Sequence, residues 1–485
     1  MSTAATGSAR RTSPRSPATG ARVVPGYRAG LASLFERRRF GMKPTLDVAR
    51  HLLAALGDPQ RRAPAIHITG SKGKGSVAAM CSALLVAHGR RTGLFTSPHL
   101  VGYRERMRVD GREIPAEEVV RGLGEIERAS ERLLAAGTID RIPTFFEVTT
   151  ALAFDWFARE RVDALVVEVG IGGRWDATNL LASRVGVVTT LELEHTDILG
   201  PTIAAIAGEK AGIFHPGMVG VLGELPEEGA HVIEAQARAA GVGLWRLGRE
   251  VALLDRALLA RGQSLRAGWP GHAEVPLRLS LDGDFQATNA AIALAAVDRF
   301  LRSDGESLRP TTAARALARL TIPGRLERID RRPITYVDVA HTPESVRAVV
   351  RSLAERHPGI DPRSNAIVFG CLRGKDPARM LDFLAPFART LVLVPVRSER
   401  GVPPSQIRPL AAGRFGTVVV APSALAGLAL GRAAVRADAV LLVTGSDYLV
   451  GEVLRARTPG ADLEEPDLSD PGRAGPGDPI GAGRP

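Results

Sequence analysis

The sequence predicts an α/β protein of parallel sheets carrying a phosphate-binding loop. Three observations lead there. Short β-rich apolar runs alternate with helical patterns along most of the chain. Runs such as Leu165-Val166-Val167 are continuously apolar, as strands buried on both faces must be, and such strands belong to parallel sheets covered by helices. A glycine-rich loop stands between the first of these strands and a helix.

The first strand is Ala65–Thr69. A helix is predicted over residues 77–88, with Val77, Met80, Cys81, Leu84 and Leu85 on one face. Gly89 and Gly93 end it, and strand resumes at 94–96. Further strands are expected at 164–169, 185–190, 218–222, 366–370, 390–395, 417–421 and 439–444. No internal repeat is visible. The polar, Arg- and Pro-containing stretch 301–323 is the best domain boundary, because the strand–helix alternation restarts after it. Four segments follow: a basic tail (1–22), a larger domain carrying the glycine-rich loop (23–305), a smaller C-terminal α/β domain (306–457) and an acidic Pro/Gly-rich tail (458–485). Both tails lack apolar periodicity and read as disordered.

Composition bounds the function. With 485 residues, 45% apolar and 24% charged, the chain is neither fibrous nor broadly disordered. The apolar stretches 290–297 and 439–443 fall far below the roughly 20 residues a bilayer requires. The Met-led start has no apolar core of the secretory kind. Cys81 and Cys371 alone build no disulfide framework. A monomer in the reducing cytoplasm, without a membrane partner, is the expectation. The net charge of +11 raises a nucleic-acid-binding NTPase as one reading. Aromatic residues are only 5%, the arginines are dispersed, and no nucleic-acid motif is present, so no nucleic-acid partner is expected. Only five of the 63 basic residues are lysine: Lys43, Lys72, Lys74, Lys210 and Lys375. In so arginine-rich a chain, each surviving compact ammonium is a position to inspect.

The loop Thr69-Gly70-Ser71-Lys72-Gly73-Lys74-Gly75-Ser76 has the strand–loop–helix context of a phosphate cradle. Its glycines let backbone N–H groups turn inward, and a helix N-terminus adds positive potential. It misses the strict G-x-x-x-x-G-K-[ST] pattern, since Gly75 follows the lysine. Alone, it also reads as a glycine turn with two solvated lysines. Glu168 ends a buried strand, where a carboxylate faces the ligand crevice and suits a hard cation; a surface glutamate ending a strand is the plainer reading. His195 and Lys210, taken singly, read as a surface histidine and a helix-end lysine. Gln286 and Asn289 open an Ala-rich helix and also suit capping.

Taken together, these segments resemble the Mur ligase superfamily, especially the folylpolyglutamate synthase/dihydrofolate synthase family. The loop is similar to that family's usual G-T-N-G-K-G-S, with Ser71 and Lys72 in place of Thr and Asn. The resemblance continues through Thr96-Ser97-Pro98-His99-Leu100, through the run from Glu168 to Asn179, and through Glu209-Lys210-Ala211-Gly212-Ile213. It goes on through Pro323-Gly324-Arg325-Leu326-Glu327, and it spans about residues 31–457. Glu194 stands where the family's Asp precedes His195. Val339 and Thr342 depart from Asp-Gly-Ala-His-Asn-Pro, and Gly374 from Asp-Lys-Asp.

The resemblance implies that 23–305 is an ATP-binding, Mur-ligase-type central domain with a P-loop and that 306–457 is a Rossmann-like, Mur-ligase-like glutamate ligase domain. It implies ATP binding by Gly70, Ser71, Lys72, Gly73, Lys74, Gly75, Ser76, Asn289, Arg325 and Asp338, with Gln286 a weaker candidate. Mg²⁺, two ions in this family, would draw on Ser97, Glu168, His195 and a carbamylated Lys210. Lys74, Lys210, Arg325 and His341 would be catalytic, and Pro98, His99, Arg106 and Ser446 would meet substrate. The implied activity is ATP-dependent addition of L-glutamate to a reduced folate through an acyl phosphate, with dihydropteroate as a further acceptor. A peptidoglycan-type Mur ligase is the alternative, supported by Lys72, Val339 and Thr342.

Overall fold

The computed structural model describes residues 24–37 and 45–458; the tail expectations for 1–22 and beyond 458, and Lys43, lie outside the described residues. Three sheets organise the chain. The largest is eight-stranded: β1 (Ala65–Thr69), β2 (Thr92–Phe95), β3 (Met107–Val109), β4 (Arg112–Glu113), β5 (Ala164–Glu168), β6 (Ser183–Val188), β7 (Val219–Leu222) and β8 (Gly243–Arg246). Its order is β4-β3-β2-β5-β1-β6-β7-β8. The strands from β2 to β8 in that order run parallel, and β3 and β4 add an antiparallel edge.

Every residue of β1, β2 and β5 is buried. The continuous apolar runs therefore correspond to strands with a helical layer on each face, and two clusters of buried side chains lie on opposite sides. One joins Ile66, Ile68 and Val166 to the helices Lys74–Ala87 and Asp284–Arg302; the other joins Leu165 and Val167 to Ala116–Ala135 and Phe145–Arg159. The last helix begins in a capping box, Thr144 Oγ1 accepting from Glu147 N while Glu147 accepts from Thr144 N.

A three-stranded antiparallel sheet follows: β9 (Ala252–Leu258), β10 (Gln263–Trp269) and β11 (His272–Leu279), in the order β11-β10-β9. The sequence reading did not anticipate it. The third sheet, β12-β13-β17-β14-β15-β16, comprises β12 (Glu327–Arg331), β13 (Ile334–Val337), β14 (Ala366–Phe369), β15 (Thr390–Leu393), β16 (Thr417–Val420) and β17 (Val440–Thr444). All its pairs are parallel except β12 with β13. Residues 306–320, which the sequence assigned to the second domain, pack Leu308, Ala313 and Leu317 into the core of the first. Their apolar side chains follow helical spacing, and they cover the face beside Lys74–Ala87. Among the described residues, no helix is long and apolar enough to cross a membrane.

Candidate active site

The strands β2, β5, β1 and β6 are consecutive neighbours and parallel, so their carboxyl ends open onto one crevice. After β1 the chain turns through Gly70 (φ +141°) and Gly73 (φ +84°) and enters the helix Lys74–Ala87. A Cβ at Gly70 would lie 1.9 Å from Thr189 Oγ1, so only glycine fits. The end of β6 fastens this loop. Ser71 N donates to Thr190 O at 2.9 Å, Lys72 N to Thr190 Oγ1 at 2.8 Å, and Thr189 Oγ1 to Lys72 O at 2.5 Å. The Lys74 ammonium donates to Gly70 O at 2.8 Å. A phosphate oxygen is a stronger, charge-assisted acceptor than that carbonyl, so an arriving phosphate can draw the ammonium away.

Glu168 at the end of β5 is 4% exposed. Its Oε2 accepts a hydrogen bond from Ser97 N at 3.0 Å, joining the ends of β5 and β2. A Cβ built on Gly75 would stand 3.5 Å from Glu168 Oε2 and 3.9 Å from Arg325 Nη2. The phosphate loop, the β5 carboxylate and an arginine of the second α/β unit thus meet at one point.

Beyond β6, His195 holds φ +48°, a conformation uncommon outside glycine. Burial is the main cause that pushes its imidazole down to about 4, against the pull of Glu194. Lys210 is 1% exposed. Burial, then the nearby Lys74 charge, pushes its ammonium down to about 8, while Glu194 opposes both. Lys210 Nζ donates to Glu194 Oε1 at 3.1 Å. Burial works to raise the Glu194 carboxyl, but Lys74, Lys210 and Lys72 outweigh it and hold it at about 2.

The second unit closes the crevice with Arg325, Asp338 and His341, which line a cleft of about 1080 Å³ together with the loop, Ser97 and Glu168. Asp338 Oδ2 accepts from Leu326 N and its Oδ1 from Ala340 N, each at 2.7 Å. Burial pushes its carboxyl up to about 6, with Arg325 and the two N–H groups pulling the other way. His341 Nδ1 donates to Val339 O at 2.9 Å, so a neutral ring keeps Nε2 as its acceptor nitrogen. Lys375 acts electrostatically on His195 from the second unit.

Most sequence-predicted residues are therefore gathered here. Ser71 to Ser76, Ser97, Pro98, Arg106, Glu168, His195, Asn289, Arg325, Asp338 and His341 all line the cleft. His99 lies one layer back, accepting from Arg106 Nε at 2.9 Å, while the Arg106 guanidinium sits 5.2 Å from the Phe145 ring centre. Gln286 is fully buried behind Asn289, whose Nδ2 donates to Gln286 Oε1 at 3.0 Å. Ser446 is not brought to the cleft wall: it is fully buried and caps the helix Asp447–Arg455, accepting from Tyr448 N. The sequence reading missed Thr189 and Thr190, whose only signal is a Thr pair ending a strand. It also missed the cleft-lining pair Arg141–Glu147, bonded twice at 2.8 Å. Among the described residues, no three His, Cys, Asp or Glu side chains form a metal-binding cluster.

Residues 68–297 match the family described as Mur ligase middle domain, and 324–447 match Mur ligase, glutamate ligase domain. The chain is 38% identical over 385 residues to the dihydrofolate synthase/folylpolyglutamate synthase of Mycobacterium tuberculosis, covering 77% of this chain and 78% of that one. The structure of Mycobacterium tuberculosis folylpolyglutamate synthase complexed with ADP superposes with a TM-score of 0.81 at 34% identity, covering 89% of this chain and 99% of the other. A folylpolyglutamate synthase complex with AMPPCP and folate superposes at 0.78 with 31% identity, over 89% and 99% of the two chains.

Proposed function

This chain belongs to the folylpolyglutamate synthase/dihydrofolate synthase family of Mur ligases, and we propose from that premise how its cleft carries out ATP-dependent glutamate ligation. The observation that carries the reading is the meeting of the phosphate loop, Glu168 and Arg325 around Gly75. An anionic triphosphate placed there has a lysine and an arginine from opposite walls to receive its charge.

The acceptor is a reduced folate, and dihydropteroate is a second one. A carboxylate oxygen of the acceptor attacks the γ-phosphorus of ATP, the bond from that phosphorus to the bridging oxygen breaks, and ADP leaves. Lys74 and Arg325 take up the charge that develops on the transferring phosphoryl group. The amine of L-glutamate then attacks the acyl carbon. His341 Nε2 receives the proton that the amine must lose, and inorganic phosphate departs from the tetrahedral intermediate. The acyl phosphate is lost to water unless the cleft between the two units excludes it. Asn289 meets the adenine, Asp338 the ribose, and Pro98 and Arg106 the acceptor.

Mg²⁺ fits part of this donor set. The Glu168 carboxylate and the Ser97 hydroxyl are hard oxygen donors beside the phosphate loop, where Mg²⁺ typically takes few protein ligands and completes its shell with water and phosphate. Burial keeps His195 as the neutral imidazole that ligation requires. As an ammonium bonded to Glu194, Lys210 offers no lone pair or oxygen; only its carbamate fits a second ion. The metal supplies charge neutralisation on the phosphates.

Mass analysis of products tests the reading. Dihydropteroate and tetrahydrofolate are each incubated with ATP and glutamate, and each should gain a glutamyl residue. Phosphate release only with a nucleotide-linked muropeptide would overturn it.

A further inference from the structure

Two departures from the family text meet in space. Lys72 stands in the phosphate loop and Glu194 immediately before His195, the positions where the resemblance leads one to expect Asn and Asp. Lys72 Nζ lies 3.9 Å from Glu194 Oε2, while Glu194 Oε1 accepts from Lys210 Nζ at 3.1 Å. One carboxylate therefore faces two lysines, one with each oxygen. Its side chain is 16% exposed, that of Lys72 26% and that of Lys210 2%, so water screens the bridge only in part.

The two changes are complementary in charge and in reach. Replacing Asn by Lys adds a cation beside Lys74. A Glu has one methylene more than an Asp, which extends the carboxylate from the loop between β6 and the helix Thr196–Leu199. The backbone of Lys72 is fixed by its bonds to Thr189 and Thr190; its ammonium also acts on Glu192, and Glu194 is the carboxylate within ion-pair distance of it.

We propose that Lys72 and Glu194 form one positioning pair, in which Glu194 holds the Lys72 ammonium away from the bound nucleotide phosphates and at the same time steadies Lys210. Glu194 acts through the two lysines and touches no reacting atom. The proposal deepens the ligase reading and rests on it for the place of the phosphates. Without the carboxylate, Lys72 swings to the nucleotide, which binds more tightly, while Lys210 loses its fixed partner and turnover falls.

The test is a double-mutant cycle on ADP binding by calorimetry, without folate or glutamate. The four proteins are the full-length chain, K72N, E194Q and K72N/E194Q, each checked by its melting temperature. Glu194→Gln should tighten ADP by about threefold or more when Lys72 is present and by much less in the K72N background, a coupling within the usual range for contacting charged groups. In steady state Glu194→Gln should lower kcat while lowering the KM for ATP, a split that a merely loosened fold does not give. Equal effects of Glu194→Gln on ADP in both backgrounds would overturn the proposal. Should that variant not fold, Glu194→Asp retracts the carboxylate and must show the same dependence on Lys72. Absence of glutamate addition by the unaltered chain, with the ADP coupling intact, would instead sink the ligase reading.

Discussion

Gly73 stands so close to Asn289 that a Cβ on it would lie 2.6 Å from the Asn289 Oδ1. Gly73 also holds φ +84°, at the entrance to the helix Lys74–Ala87. Gly73→Ala therefore meets two penalties: a left-handed backbone costing about 1 kcal/mol, and an amide that must move. Because Asn289 lines the cleft beside the loop, ADP affinity should fall by about tenfold, equivalent to 1.4 kcal/mol. Adding Asn289→Ala removes the clash but keeps the backbone strain and takes away the proposed adenine contact, so it should not recover full affinity. Calorimetric binding of ADP at the unaltered strength by Gly73→Ala would contradict this.

Asp338 fixes a turn that carries Arg325. Its two oxygens accept separately from Leu326 N and Ala340 N, and Leu326 holds φ +48°. In Asp338→Asn the amide NH₂ must face one of those two donors. A buried donor left without an acceptor costs about 1–3 kcal/mol. The urea midpoint should drop accordingly, and the KM for ATP should rise because the Arg325 turn is no longer pinned. An unchanged midpoint would show that the turn holds without the carboxylate.

The strands under the cleft were legible because they are buried on both faces. Leu165, Val166 and Val167 have no partner pattern other than a central strand, and β5 fell within a residue of its expected range. The sheet of β9 to β11 was hidden by the opposite property. β9 carries exposed Leu254 and Asp255, and β11 alternates buried Val275, Leu277 and Leu279 with exposed positions. A search for continuous apolar runs passes over such strands. The loop from Gly70 to Ser76 was readable from local order, since glycine, lysine and helix start are neighbours in sequence. The contacts that complete it were not. Thr189 and Thr190 reach the loop across more than 110 residues, and the Lys72–Glu194–Lys210 bridge spans as much chain. Ser446 shows the converse: a familiar motif residue whose hydroxyl is taken by helix capping.

His67 should make the protein acid-sensitive. It is fully buried in β1, and Thr178 Oγ1 lies 2.8 Å from its Nε2. Thr178 Oγ1 donates to Asp176 Oδ1, so the ring donates through Nε2 and leaves Nδ1 as an acceptor with no hydrogen-bond partner in the structure. Burial, then the His215 charge, pushes the imidazole down to about 3. An unfolded histidine protonates near 6.5. Between these values the unfolded chain binds a proton that the folded chain refuses, so stability falls as pH drops through 6.5 toward 3. At pH 5 the loss from this group is about 2 kcal/mol. His67→Gln keeps a donor for Thr178 and removes the titration. Urea midpoints at pH 7.5 and pH 5 should therefore differ less in the variant; equal differences would refute the assignment.

Glu168 offers the sharpest test of the metal reading. Its carboxylate is nearly enclosed, it accepts from Ser97 N, and it faces the loop at Gly75. Glu168→Gln preserves shape and the acceptor oxygen for Ser97 while removing the charge that attracts a hard divalent cation. If Glu168 holds Mg²⁺ at the phosphates, the Mg²⁺ concentration for half-maximal phosphate release should rise about tenfold or more, a change equivalent to 1.4 kcal/mol of cation binding. The melting temperature is measured beside it, so that a weaker Mg²⁺ response is not mistaken for a loosened fold. EDTA should abolish product formation by the unaltered chain and leave its melting temperature in place. A Glu168→Gln variant with an unchanged Mg²⁺ titration would assign the cation to other donors, and Ser97→Ala, which removes the hydroxyl but keeps the N–H bond to Glu168, would then be titrated in the same way.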